Sequence, residues 1–203
     1  MKTDTAPASP AVALRLLDNE IATTLFHLSA VHEDLQTVLQ CCERLVSALK
    51  PVEDPPDDIL IEAVWTTALL SYSRSFTSGH VGATLTEADL AATKLKGDVL
   101  GWHKVLLKLR DHYASPIVNP RELFSVGVAQ DVDGAASHIA ITGERQPLVV
   151  DLAIRQTGTI ALALSDMVSG RITVEQEKAF GRVKDMPSAE LDKLPPLDVA
   201  QPD

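Results

Sequence analysis

The chain has 203 residues, 45% of them hydrophobic but only 4% aromatic, so one domain of ordinary size with a core of Leu, Val, Ile and Ala is expected. Its formal net charge of -10 argues against a general nucleic-acid binder, because neutralising phosphates takes a surplus of Lys and Arg. No run of about 18 apolar residues is present, which speaks against a membrane span. The opening MKTDTAPASP lacks the apolar stretch of a signal peptide. The only cysteines, Cys41 and Cys42, are adjacent in a helical pattern, where neighbouring side chains point about 100° apart and bridge poorly. Together these features predict a cytoplasmic protein.

Residues 1–12 are small, polar and proline-containing, and read as a flexible tail ahead of a single helical-bundle domain over 13–185. Ile21, Leu25, Leu28, His32, Leu35, Leu39, Cys42, Val46 and Leu49 recur at alternating spacings of 4 and 3, a heptad seam. Val31, Val38 and Leu45 widen it, so the first helix is expected to pack inside a bundle. His32 reads as a core-edge histidine, with a ligand or switch role as the alternative. Lys50-Pro51 closes this helix, and PVEDPPDD forms a stiff acidic connector in which Asp57 or Asp58 can cap the next helix. The second helix, about 59–77, has two apolar flanks, one with Leu60, Val64 and Ala68, the other with Ile61, Trp65, Leu69, Tyr72 and Phe76. That places it centrally. Ser78-Gly79 and Gly82 then make a loop.

Residues 86–113 are predicted as one long helix. Thr86 can cap it, Glu87 and Asp89 suit the dipole of its first turn, and Leu90, Leu95, Val99, Trp102, Leu106, Leu109 and Tyr113 mark its buried face. Gly97 and Gly101, at roughly 1 kcal/mol each against Ala, suggest the close approach of a neighbouring helix. Pro116 ends the element. The period then changes to two. Phe124, Val126 and Val128, and later Ile139 and Ile141, alternate with small or polar residues around Asp131-Val132-Asp133-Gly134. This predicts a β-hairpin, 123–130 with 136–143, whose apolar face must lie on the bundle or on a partner. Gln146-Pro147 opens a fourth helix, with Val149, Leu152, Ile160, Leu164 and Val168 on its buried stripe and Ser169-Gly170 as its stop. Thr173-Val174-Glu175-Gln176 resembles a capping box for a short fifth helix to about Lys184. Residues 186–203 are Pro- and Asp-rich and read as an acidic tail, with docking of 191–197 as the alternative to disorder. The predicted fold is mainly α: a bundle of about five helices with a β-hairpin inserted between the third and fourth long helices.

Known chemical motifs are absent. His27, His32, His80, His103, His112 and His138 form no HExxH pair and no CxxC occurs, so no metal is expected. Asp131 to Gly134 begins like a calcium loop, but Thr142 stands where the closing Glu belongs. There is no GxSxG, P-loop or GxGxxG, and no cofactor is expected.

Two arginine-bearing segments remain, Tyr72-Ser73-Arg74-Ser75-Phe76-Thr77-Ser78-Gly79-His80 and Leu109-Arg110-Asp111-His112-Tyr113-Ala114-Ser115-Pro116-Ile117-Val118-Asn119. In these the chain resembles HEPN-like (higher eukaryotes and prokaryotes nucleotide-binding) helical proteins of bacteria and phages, over about residues 20–185. The matching patterns are a YxRxFxxG helix end and a degenerate LRDKHxAHxxN segment. In ribonuclease members an Arg and a His four to six residues apart serve RNA cleavage, usually across a dimer interface. Arg110 and Asn119 match that pattern, but Pro116 stands where the second His belongs. The resemblance therefore implies a homodimer that binds a protein or a phosphorylated ligand through Arg74, His80, Arg110, Asp111, His112 and Asn119, without catalysis. Two alternatives stay open. One is a metal-independent, toxin-like ribonuclease using Arg110 with His112 or Arg74 with His80, for which RNA is the partner. The other is a structural adaptor using the hairpin and the tail.

Overall fold

The computed structural model describes residues 13–50, 57–77, 79, 82–117 and 119–197. The expected tail over 1–12, the connector over 51–56, the loop position Ser78 and the last residues, 198–203, lie outside the described residues. The chain is mainly helical, with a single antiparallel hairpin among the described residues. Its elements are α1 (Glu20–Ala48), α2 (Asp58–Ser75), α3 (Glu87–Ala92), α4 (Val99–Tyr113), β1 (Glu122–Gln130), β2 (Ala136–Arg145), α5 (Asp151–Val183) and α6 (Ser188–Leu191). As predicted, the hairpin falls between the third and fourth long helices. No helix is long and apolar enough to cross a membrane, among the described residues.

α1 begins where the Asn19 side chain accepts from the Ala22 N–H at 2.9 Å. It is held between α2 and α5. Gln36 Nε2 donates to Ser165 Oγ at 2.7 Å, and Gly158 rests against Cys42, so α1 and α5 run antiparallel. Because α1 is covered from two sides, its buried arc is Leu28, Val31, Leu35, Val38, Cys42 and Leu45. The expected seam is rotated accordingly: Leu25, His32, Leu39 and Val46 sit half-buried at its edge. α2, capped by Asp57 on the Leu60 N–H, contributes Ile61, Trp65, Leu69 and Tyr72 to the same core. Burying each such side chain stabilises the fold by about 1.5–3 kcal/mol.

Three expectations about helix boundaries are corrected. Residues 86–113 form two helices, α3 and α4, and not one. Lys94 (φ 55°) and Gly97 (φ 95°) take left-handed backbone between them, and the Asp98 carboxylate caps α4 by accepting from the Gly101 N–H at 2.8 Å. The glycines therefore serve the break and its cap: nothing crowds Gly97, while a Cβ on Gly101 would collide with the Asp98 carboxylate. Conversely, the expected fourth and fifth helices are one. α5 runs through Ser169-Gly170, and the Thr173 hydroxyl donates back to the Ser169 carbonyl at 3.1 Å instead of capping a new helix. The start is also later than Gln146-Pro147, at Asp151. The continuous helix is held past Gly170 by Arg171, which pairs with Asp89 of α3, and by buried Ala179.

Residues 186–197, assigned to the tail from sequence, carry α6 and return to the start of the chain. Leu16 N–H donates to the Pro195 carbonyl at 2.8 Å, Leu197 N–H donates to the Leu14 carbonyl at 3.0 Å, and Arg15 pairs with Asp192 at 3.3 Å.

Candidate functional site

The last turns of α2 place Ser71, Tyr72, Ser73 and Ser75 in the interior, all of them buried. A helix that buries this many hydroxyls must satisfy them: Ser75 Oγ donates to the Ser71 carbonyl at 3.3 Å, Tyr72 bonds His103, and Ser71 and Ser73 are met by the arginines singled out from sequence. Arg74 Nη2 donates to Ser71 Oγ at 2.8 Å, and its Nε donates to the Asp34 carboxylate of α1 at 3.0 Å. Arg110, in the last turn of α4, donates to Ser73 Oγ and, through Nε at 2.8 Å, to Asp111. Ser71 and Ser73 are two residues apart, hence about 200° around the helix. The two guanidinium groups thus bracket one turn of α2 from opposite sides, Arg74 towards α1 and Arg110 towards α4.

The remaining residues singled out are dispersed. His112 is exposed and makes an edge contact with Tyr113, at 5.5 Å between ring centroids. Asn119 is exposed, and its side chain accepts from the Arg121 N–H at 2.9 Å, an Asx turn at the foot of the hairpin. His80 lies outside the described residues. Among the described residues no hydrogen bond or ring contact joins His112 to Arg110, and each of the two arginines already has a carboxylate. A phosphate arriving there would have to displace Asp34 or Asp111.

The histidine that is built into the structure is a different one. His103 is buried, with Nδ1 2.9 Å from the Tyr72 hydroxyl and its ring 4.4 Å from that of Phe76. Burial pushes His103 below its ordinary value, and burial pushes the Tyr72 phenol up. Both are therefore neutral near pH 7 and share one hydrogen bond between the phenol oxygen and Nδ1. Beside α3, burial alone would raise the Asp89 carboxyl. Hydrogen bonds from Arg171 and from the Thr86 hydroxyl and N–H outweigh it and hold the group below the usual carboxylate range. The i+3 spacing of Thr86 and Asp89 was the legible signal for this network; its Arg171 partner was not. A groove of about 380 Å³ between the α3–α4 turn and α5 has Val99, Trp102 and Ile160 as its apolar wall, with Lys96, Asp98 and Arg155 on its rim.

The largest departure from an ordinary surface is the hairpin. Phe124 pairs with Gly143, Val126 with Ile141 and Val128 with Ile139, so these side chains share one face. None of them is covered: Val126 is 71% exposed and Ile141 70%. The other face carries Ser125, Gly127 and Ala129 opposite Thr142, Ala140 and His138. Of the two expected resting places for the apolar face, the bundle is therefore not the one it uses. Internally the hairpin is well made. The Asp131 carboxylate accepts from the Asp133 and Ala135 N–H groups at 3.0 and 2.9 Å, Gly134 supplies φ 82°, and the Phe124 ring lies over Gly143. Its foot is fastened to α2 by Arg121–Glu62 at 3.3 Å and by Arg145–Asp58.

Comparison of the chain with protein-family models, with curated proteins and with solved structures gave no match.

Proposed function

We propose that this chain is a HEPN-like binding or regulatory protein, a helical bundle of about five helices that acts by holding a protein on its β-hairpin, without catalysis. The observation that carries the reading is the uncovered apolar ladder of Phe124, Val126, Val128, Ile139 and Ile141 on a hairpin pinned to α2 by two ion pairs. A two-stranded hairpin in water is marginal by itself, and contiguous apolar patches of this kind mark interaction sites. The lack of catalysis is supported by the state of the arginines. Phosphodiester cleavage needs a cation free to meet developing charge and a base beside it, whereas Arg74 and Arg110 are engaged by Asp34, Asp111 and the α2 serines. Cys41 and Cys42 are buried thiols, which suits a reducing cytoplasm.

Two measurements test this. A photoactivatable residue replacing Val126 is expected to give a protein adduct in intact cells, and the same residue at exposed Lys108 is expected to give none. Absence of any adduct at Val126 overturns the hairpin as the binding element. Mixed RNA incubated with the purified chain in EDTA is expected to stay intact. Cleavage that disappears in Arg110→Ala or His112→Ala would replace this reading with the ribonuclease one.

A further inference from the structure

We infer that the occupant of the hairpin's apolar face is the same face of a second copy of this chain; the inference rests on the proposed binding role and names its partner. The face is one side of a two-stranded ribbon with no element laid over it, so it offers no enclosure to a small molecule. Between Phe124 and Ile141 it carries no charged side chain, so it offers nothing to a phosphate backbone. A strand added to either free edge of the two-stranded sheet would leave the apolar face as open as before, so edge pairing does not account for it. A sheet face of the same character closed over it does.

Area decides whether a second copy suffices. At exposures of 57% for Phe124 and 71% for Val126, with the other three between, five such side chains leave roughly 500–600 Å² of apolar surface per copy, at the top of the range for a monomer's largest patch. Two faces closed on each other remove roughly 1,000–1,200 Å², which clears the roughly 1,000 Å² an interface needs and reaches the low end of the stable class. The net charge of -10 repels two copies at long range, but none of it falls on this face between Phe124 and Ile141. Charge also selects the setting. The tip carries Asp131 and Asp133, whereas the foot of this face carries the cross-strand pair Glu122 and Arg145. A parallel setting would stack two acidic tips, while a two-fold antiparallel setting brings each tip beside the other copy's mixed foot and centres Val126 and Ile141 on their own counterparts.

Sedimentation of the full chain between about 1 and 300 µM is expected to show a species of twice the 21.8 kDa chain mass. In the double variant Val126→Asp, Ile141→Asp, dimerisation is expected to weaken by about 100-fold or more, because two carboxylates per copy are forced together in an apolar contact. The pair Val126→Thr, Ile141→Thr keeps β-branched side chains and so keeps the hairpin, and should weaken the dimer by about tenfold. Helical circular dichroism should be unchanged in both. On the purified chain, the photoactivatable residue at Val126 should yield an adduct of twice the chain mass. A monomer at every concentration, or a dimer indifferent to both double variants, overturns the inference. If a monomeric chain gives Val126 adducts of another mass in cells, the second copy is wrong and the binding reading stands; if it gives none, both fall.

Discussion

Tyr72 and His103 show how a buried polar pair is made tolerable in a core with few aromatics. Neither group charges at neutral pH, each satisfies the other at 2.9 Å, and Phe76 closes the third side. Removing the phenol oxygen strands Nδ1 of a buried imidazole. Tyr72→Phe is therefore expected to lower stability by about 1–2 kcal/mol, read from the urea midpoint at pH 7. The pH dependence is set by the direction of the His103 shift. Burial holds its folded value below the ordinary histidine value of about 6.5, so the unfolded state takes up a proton first as pH falls. The stability from keeping His103 neutral is complete above about 6.5 and is lost as pH drops through that value towards the lower folded one. Chemical denaturation of the wild type and of His103→Gln at about pH 7.5 and about pH 5.5 is expected to show a smaller loss in the variant. Parallel losses in the two proteins would mean that His103 is not the group responsible.

At the scale of elements, α5 is the place where local signals and packing disagree. Ser169-Gly170 followed by a capping-box pattern looks like a stop and a start, yet the helix continues, because beyond it Arg171 has Asp89 and Ala179 is buried. Gly170 is exposed, and a Cβ there would meet nothing within 4 Å. Gly170→Ala is thus expected to stabilise the protein by about 1 kcal/mol and raise Tm by roughly 2–4 °C in a scanning calorimeter. A glycine ending a helix in left-handed backbone would give the opposite sign. The break between α3 and α4 was harder to read, since the stripe resumes at Leu95, Val99 and Trp102 on both sides of it. The five-residue step from Leu90 to Leu95, Gly97 itself and the Asp98 to Gly101 cap spacing were its traces. The hairpin, by contrast, was legible to within two residues at its foot, because period-two alternation and an Asp-Gly turn are local signals. So was the existence of the Arg74 and Arg110 clusters. Their partners were not, since Asp34 lies 40 residues from Arg74 and Ser73 lies 37 from Arg110, separations that only the packing of α1, α2 and α4 resolves.

At the scale of the whole molecule, the helical body and the hairpin are energetically separate, and that separation is testable. The apolar face of the hairpin rests on no helix, so its removal takes nothing from the core. The cut ends would meet without strain, because the Gln146 N–H already donates to the Arg121 carbonyl at 2.8 Å across the foot. What is lost is the ion pair of Arg145 with Asp58, both partly exposed, and such surface pairs contribute about 0–1 kcal/mol. Replacing residues 122–145 by a short glycine linker is therefore expected to leave helical circular dichroism intact and to shift Tm by no more than roughly 2–4 °C. A large fall in Tm at low concentration would mean that the hairpin supports the body directly. If the deletion instead abolishes a concentration dependence of Tm that the full chain shows, the stabilisation came through association, because a partner that binds only the folded state raises Tm by mass action. In that case the hairpin is an element whose native environment is completed between chains, and its exposed ladder in a single chain is the half of a core that the second chain supplies.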